Sequence, residues 1–278
     1  VAMVETVWKI HRAYTKEEDG DVLCFLPTAE DIDQAMRYAE EYFEQQQERD
    51  VGQVEFLPLY GNLPLHLQNR VFLQGKQYGR RQEEPAARRI IFATNIAETS
   101  VTVPGIRYVV DSGLAKLPYF DPATGLERLL VSPITRASAA QRAGRSGRIS
   151  AGQCYRLYTE QFLADKMQAH TPPEILRTNL TSFLLTLKSL GVDNILAFDL
   201  IDVPNVEALK HGLESLYALG AIDNNTQITK EGLDMAVFPV EPRVSRMLLE
   251  SLSEGCSWEV LAVASALQVR DLFHKPRG

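Results

Sequence analysis

Three arginines and two glycines fall within the eight residues 141–148, "QRAGRSGR", shortly before a strand-like run from Gln153 to Tyr158. That density is the chemistry of phosphate. A guanidinium presents five donors in a planar fork, matches phosphate oxygens two at a time and keeps its charge. A second polar stretch lies upstream. "FATNIAETSVTVPG" (92–105) follows an apolar run, and its Thr94, Asn95, Thr99, Ser100 and Thr102 are short donors suited to phosphate and ribose contacts. "VVDSG" (109–113) closes the next apolar run. Taken singly each stretch is a weak signal, since a hydroxyl-rich loop is more often a set of helix caps. The chain has no G-x-x-x-x-G-K-[ST] loop, no G-x-G-x-x-G and no acidic group suited to Mg²⁺. The arginines therefore need a phosphate that the rest of this chain does not cradle.

Strands alternating with helices must position these residues. "DVLCFL" (21–26) is a strand candidate, and Thr28 and Asp31 stand at capping spacing before a helix running to about Glu48. "VEFLPL" (54–59), "RIIFA" (89–93) and "RYVV" (107–110) repeat the pattern, with a helix over 64–73 and an exposed loop over 74–88. Alternation of this kind predicts an α/β fold with a doubly wound parallel sheet, whose ligands sit in loops at the C-terminal ends of the strands. "QRAGRSGR" is expected to open a helix. Residues 116–134 break the rhythm: two strand-like arms flank "DPATG", so a β-hairpin is expected to project from the sheet. After Tyr158 the pattern turns helical. One apolar stripe runs over 174–191 and another over 205–220; "AIDNNTQIT" (221–229) offers two short strands around Asn224-Asn225, and two more amphipathic helices follow. Helix, helix and small hairpin suggest a winged-helix unit.

Composition narrows the class. At 278 residues the chain can hold two or three domains, and 45% hydrophobic with 23% charged residues is ordinary for a globular protein. No apolar run reaches the roughly 20 residues of a membrane span, and the first residues lack a signal-peptide pattern, so no membrane partner is expected. Cys24, Cys154 and Cys256 form no C-x-x-C pair and read as small buried residues of a reducing, intracellular compartment, nuclear or cytoplasmic. No metal ligand set is expected. The net charge of −7 argues against a polyanion partner until its distribution is considered. Residues 70–148 hold thirteen Lys/Arg against six Asp/Glu, a local +7, leaving sixteen basic and thirty acidic residues elsewhere. A basic surface on an acidic chain is compatible with nucleic acid.

Jointly these stretches resemble the DEAH-box (DEAH/RHA) family of ATP-dependent RNA helicases, over nearly the whole chain. "DVLCFLPTAEDID" is similar to the family's motif IV, "PLYGNLPLHLQNRVF" to the segment after it, "TNIAETSVTVPG" to motif V and "QRAGRSGR" to motif VI. "PEILRTNLTSFLLTLKSLG", "LYALGAI" and "FPVEPRVSRMLLES" resemble its winged-helix and ratchet-like regions. The resemblance implies a second RecA-like domain over 1–158, a winged-helix domain over 159–229, and the start of a truncated ratchet-like helical bundle over 230–278. It also implies that a first RecA-like domain, with the phosphate-binding loop and DEAH carboxylates, lies outside the chain and holds most of ATP and Mg²⁺. On its own the chain is then expected to be inactive.

By the same resemblance Arg145 and Arg148 are arginine fingers on the γ-phosphate, Gln141 orients the attacking water or touches the γ-phosphate, and Arg142 makes a structural ion pair. Ser100, Thr102 and Gly105 fall on the nucleotide side of motif V. Thr94 and Asn95 fall on the backbone of single-stranded RNA. The 116–134 hairpin corresponds to the family's strand-separating hairpin, with Tyr119 and Phe120 as rings able to meet a base. Pro104 stands where the family commonly has Asp, and Pro27-Thr28 where it has Thr-Gly. The winged-helix region implies an activator protein as a further partner. Two alternatives stay open. One is a stand-alone RNA- or protein-binding module without catalysis; the other is a DNA helicase, because backbone contacts do not read the 2′-hydroxyl.

Overall fold

The computed structural model describes residues 1–14, 20–46, 52–72, 87–121, 124–147 and 151–269. The expected loop over 74–88 lies almost wholly outside them. The chain divides into two compact units, one of residues 1–117 and 129–171, the other of residues 118–128 and 172–278.

The first unit is built on five parallel strands in the order β2-β3-β1-β4-β7: β1 Asp21–Phe25, β2 Val54–Leu59, β3 Arg88–Ala93, β4 Ile106–Asp111 and β7 Gln153–Arg156. This is the α/β parallel sheet the alternation predicts. The central strands read as nearly unbroken apolar runs because both faces are covered. Val22, Cys24, Ile90, Phe92, Tyr108 and Val110 pack under helices α1 (Ala2–Ala13) and α2 (Ala29–Gln46). Their alternates Leu23, Phe25, Ile91, Ala93 and Val109 face Val71 of α3 (Leu65–Phe72) and Ala97 of α4 (Ile96–Thr99). Helix α2 starts where its capping pair stands: the Asp31 amide donates to Thr28 Oγ1 at 3.0 Å, and the Thr28 hydroxyl donates to Asp31 Oδ2 at 2.6 Å.

A buried ion pair ties the amino ends of the strands together. Arg89 donates to both carboxylate oxygens of Asp21, at 2.6–2.9 Å, and to the carbonyls of Val71 and Pro104. Burial raises the Asp21 pKa, and Arg89 opposes that rise.

The hairpin is β5 (Leu114–Asp121) and β6 (Leu126–Pro133), a separate two-stranded sheet. Between it and β7 runs α5 (Arg136–Ala143), and α6 (Glu160–Asp165) follows β7. Here one expectation is corrected: "QRAGRSGR" closes a helix instead of opening one. Thr135 accepts the Ser138 amide and starts α5 five residues before Gln141; past Ala143 the chain tightens into successive three-residue turns, Arg145 to Arg142, Ser146 to Ala143 and Gly147 to Gly144.

The second unit is helical: α7 (Thr181–Ser189), α8 (Val206–Ala218), α9 (Lys230–Ala236), α10 (Pro242–Ser253) and α11 (Ser257–Gln268), around Leu180, Leu184, Leu209, Leu216 and Met235. Gly212 lets α8 approach α7, since a Cβ there would lie 2.5 Å from Leu184 Cδ1. Two expectations change. The stripe over 174–191 is a short 3₁₀ turn (Glu174–Leu176) and then α7, because the Asn179 side chain accepts both the amide and the hydroxyl of Thr181 and interrupts the helix. "AIDNNTQIT" makes only a single bridge, Ile222 to Ile228. Asp223 Oδ1 accepts the amides of Asn225 and Gln227 and replaces a longer ladder.

His11 of α1 is 3% exposed, stacked 5.8 Å from Phe43, with Nε2 3.0 Å from the Gly52 carbonyl. Burial first, then the Arg88 charge, lowers its pKa to about 4. The neutral ring is the folded form, so stability is full above the unfolded pKa of about 6.5 and falls as pH drops toward about 4, by up to about 3 kcal/mol. Denaturant titrations at pH 7 and pH 4.5 should show this loss in the native chain and a flatter profile in His11→Gln.

Candidate functional site

Motif V runs from the carboxyl end of β3 to the amino end of β4. Thr94 and Asn95 directly follow β3 at its carboxyl end, where the Thr94 amide donates to the Leu59 carbonyl at 3.1 Å; Thr94 is half-buried and Asn95 exposed. Gly105 lies at the amino end of β4. Its carbonyl accepts the Asp21 amide at 2.9 Å, its φ is +85°, and a Cβ there would stand 2.8 Å from the Asp21 carboxylate. The structure thus places Gly105 in the turn that returns the chain to the sheet. Pro104, which stands in place of an acidic residue, contributes its carbonyl to Arg89. Between these ends, Ser100 and Thr102 are exposed on the loop.

The two described arginines of motif VI are both buried. Arg142 has no exposed surface. Its Nε donates to Glu98 at 3.0 Å, and its Nη1 donates to Asp111 at 2.8 Å and to the Leu114 carbonyl at 3.2 Å. Its plane lies over the Phe25 ring, 4.7 Å from the centroid. The carboxylates have further donors: the Ser138 hydroxyl on Glu98 at 2.5 Å, and the Gly113 amide and Tyr158 hydroxyl on Asp111, each at 2.9 Å. Burial, followed by the Asp111 charge, drives the Tyr158 pKa far up, so its phenol stays a donor. This is the ion pair expected of Arg142. The sequence had no signal for its partners Glu98 and Asp111, which lie 44 and 31 residues away.

Arg145 grips main chain. Its Nη1 donates to the Val101 carbonyl at 2.9 Å and its Nη2 to the Glu98 carbonyl. Val101 lies between the exposed Ser100 and Thr102, so this guanidinium holds the backbone of the loop that carries them. Gln141 is exposed one residue before Arg142. Arg148 lies outside the described residues. Asn95, Thr99, Thr135, Ser138 and Thr171 line a small cleft of about 190 Å³. Its acceptor-binding power comes from hydroxyls, because the first amides of α5 are already taken by Gln168, Ala169 and Thr135.

At the hairpin, Phe120 is buried 5.6 Å from the His211 ring, and its amide donates to the Arg177 carbonyl. Tyr119 is 49% exposed. Of the two rings only Tyr119 offers a face to solvent. Among the described residues, no three His, Cys, Asp or Glu side chains converge as a metal site, and no helix is long and apolar enough to cross a membrane.

Residues 3–150 match the helicase conserved C-terminal domain, with the matched stretch containing the ion-pair network and both motifs. Residues 212–240 match the winged-helix part, and residues 241–278 the ratchet-like part, of the helicase-associated domain HA2. The chain belongs to the DEAH-box helicase family. Solved structures agree. The Escherichia coli DExH-box NTPase HrpB is 30% identical over 98% of this chain, with a TM-score of 0.81. A second structure, of the Escherichia coli DEAH/RHA helicase HrpB, is 29% identical over 99% of the chain, with a TM-score of 0.82. The chain spans about a third of the length of these structures, 31% and 32%. The helicase C-terminal region accounts for the RecA-like sheet, the hairpin and the helical unit.

Removing Arg142 leaves two buried carboxylates without their counter-charge. Arg142→Ala should therefore lower the unfolding free energy by about 3–5 kcal/mol. Gln141→Ala, next in sequence but exposed, should stay within about 0.5 kcal/mol of the native chain. Chemical denaturation of both variants at neutral pH checks the contrast.

Proposed function

We propose that this chain is the C-terminal helicase region of an ATP-dependent RNA helicase, supplying arginines and nucleic-acid contacts to a motor completed by a first RecA-like domain outside it. The single observation that carries the reading is the junction of motifs V and VI. Arg145 holds the carbonyls of Glu98 and Val101 in the loop that carries the exposed Ser100 and Thr102, so a cation and short donors belong to one joined segment, the chemistry that meets phosphate. ATP with Mg²⁺ would be held mainly by the first RecA-like domain. From this side Ser100 and Thr102 would contact it, Arg145 and Arg148 would place charge on the phosphoryl group in flight, and Gln141 would orient water. Arg145 reaches a phosphate by exchanging its two carbonyls for phosphate oxygens, which would link the nucleotide to the motif V loop.

Thr94 and Asn95, at the carboxyl end of β3, are proposed to hold the backbone of single-stranded RNA, and Tyr119 to meet a base at the hairpin. The domains are proposed to be 1–158, 159–229 and 230–278. An activator protein is a further proposed partner in the winged-helix region, where Leu196, Ile201, Val203 and Val206 are each more than 60% exposed.

In the full-length protein, Arg148→Ala should cut ATP turnover by roughly 10³-fold with little change in ATP binding, because the charge is needed in the transition state. Arg145→Ala should lose turnover similarly and also cost about 1–3 kcal/mol of stability, since one buried and one half-buried carbonyl lose their donor. Steady-state kinetics, nucleotide-binding titrations and denaturation of both variants decide this. An Arg148→Ala protein with normal turnover overturns the assignment.

Single-stranded RNA should bind through phosphates with little sequence preference, each contact adding about −0.7 to the log–log salt slope. Fluorescence titrations from 50 to 200 mM salt, with matched DNA and RNA strands, test it. Flat salt dependence with strong sequence preference would point to base reading instead.

A further inference from the structure

Arg142 binds three different segments with one buried side chain: α4 through Glu98, the end of β4 through Asp111, and the first residue of the hairpin through the Leu114 carbonyl. Three residues on, Arg145 holds the same α4 by its main chain at Glu98. The short helix of motif V is thus gripped twice from the end of α5, once by its carboxylate and once by its backbone. Resting on the function proposed above, we infer that Arg142 is a positioning residue that transmits movement of motif VI to the root of the hairpin.

The physical argument is that this guanidinium cannot slip. The guanidinium has no exposed surface, its Nη2 has no hydrogen-bond partner among the described residues, and its plane lies over Phe25, so a shift offers it no ready exchange of partners with water. A displacement of α5 must either carry Asp111 and Leu114 along or pull a charge pair apart where water does not repair it. The second course is strongly unfavourable. The partners are themselves braced: Gly113, directly before β5, donates to the same Asp111 oxygen that receives Arg142, and Tyr158 fixes the other oxygen. When Arg145 exchanges carbonyls for phosphate, the change at α4 reaches Leu114 through a single side chain.

The test uses the full-length protein and two readouts. Glu98→Gln keeps the shape of the side chain and removes its charge. Amide exchange, followed by mass spectrometry, should then rise about tenfold at residues 113–117 together with residues 96–103, the scale of known coupling energies. Duplex unwinding per ATP hydrolysed should fall by about tenfold while turnover without RNA stays within about twofold. Arg142→Lys should act in the same direction, and the double variant should lose no more than the worse single one, because the two share one interaction. An exchange rise confined to 96–103, or unwinding and turnover falling in proportion, overturns the inference. Should Glu98→Gln fail to fold, Tyr158→Phe strips one donor from Asp111, the other carboxylate of Arg142, and should give both effects at about threefold. If the native protein unwinds no duplex, the helicase reading has failed, and the exchange experiment alone decides the role of Arg142.

Discussion

A buried arginine between two carboxylates is the constraint on which the first unit depends. Taking these charges out of water is costly, and the cost is met only if every carboxylate oxygen and most guanidinium donors find partners of good geometry. Glu98 and Asp111 meet that condition with Ser138, Gly113 and Tyr158 as added donors. The requirement fixes the orientation of α4, the end of β4, the start of β5 and the pitch of α5 relative to one another. Replacing the network with apolar side chains could keep the core filled. It would not set four segments in one register, because dispersion contacts have no comparable direction.

The parallel sheet converts this local register into a functional layout. Strands buried on both faces present polar residues mainly at their ends, so the hydroxyl-rich loop after β3 opens at the carboxyl end of the sheet and the turn before β4 closes at its amino end. Thr94 and Asn95 emerge at the carboxyl edge, while Gly105 closes the loop at the amino edge over Asp21 and Arg89. A single segment, residues 94–102, therefore carries both the proposed nucleic-acid contacts, Thr94 and Asn95, and the proposed nucleotide contacts, Ser100 and Thr102. That connection is what a motor requires, since a ligand at one edge can affect the other only through an element both can bias.

In the second unit the hairpin tip is organised by burial of one ring and exposure of its neighbour. Phe120 packs by His211, whose ring would also meet a side chain at Gly125, so the hairpin lies against that ring on the strand before the turn and at the last residue of the turn. Adjacent residues of a strand point to opposite sides, and anchoring Phe120 inward obliges Tyr119 to point outward. The exposed ring is a consequence of the anchored one.

Much of this architecture was legible in the residues themselves. The apolar runs marked β1 to β4 within one or two residues, Thr28 and Asp31 announced the start of α2, and the arginine and hydroxyl clusters marked motifs V and VI. These are local signals, set by period, capping chemistry and composition. The sequence could not say which arginine faces what, because a phosphate and a carboxylate satisfy the same fork. Only the direction of α5, begun early by Thr135, turned Arg142 toward Glu98 and Asp111 and left Gln141 outside. The long stripe over 174–191 misled for a related reason. Its periodicity is real, yet Asn179 offers Thr181 a side-chain acceptor that outcompetes one turn of helix. Residue order determined the elements and the chemistry they carry; tertiary structure decided which charges were buried together, because that depends on groups distant in sequence meeting in a place that water does not reach.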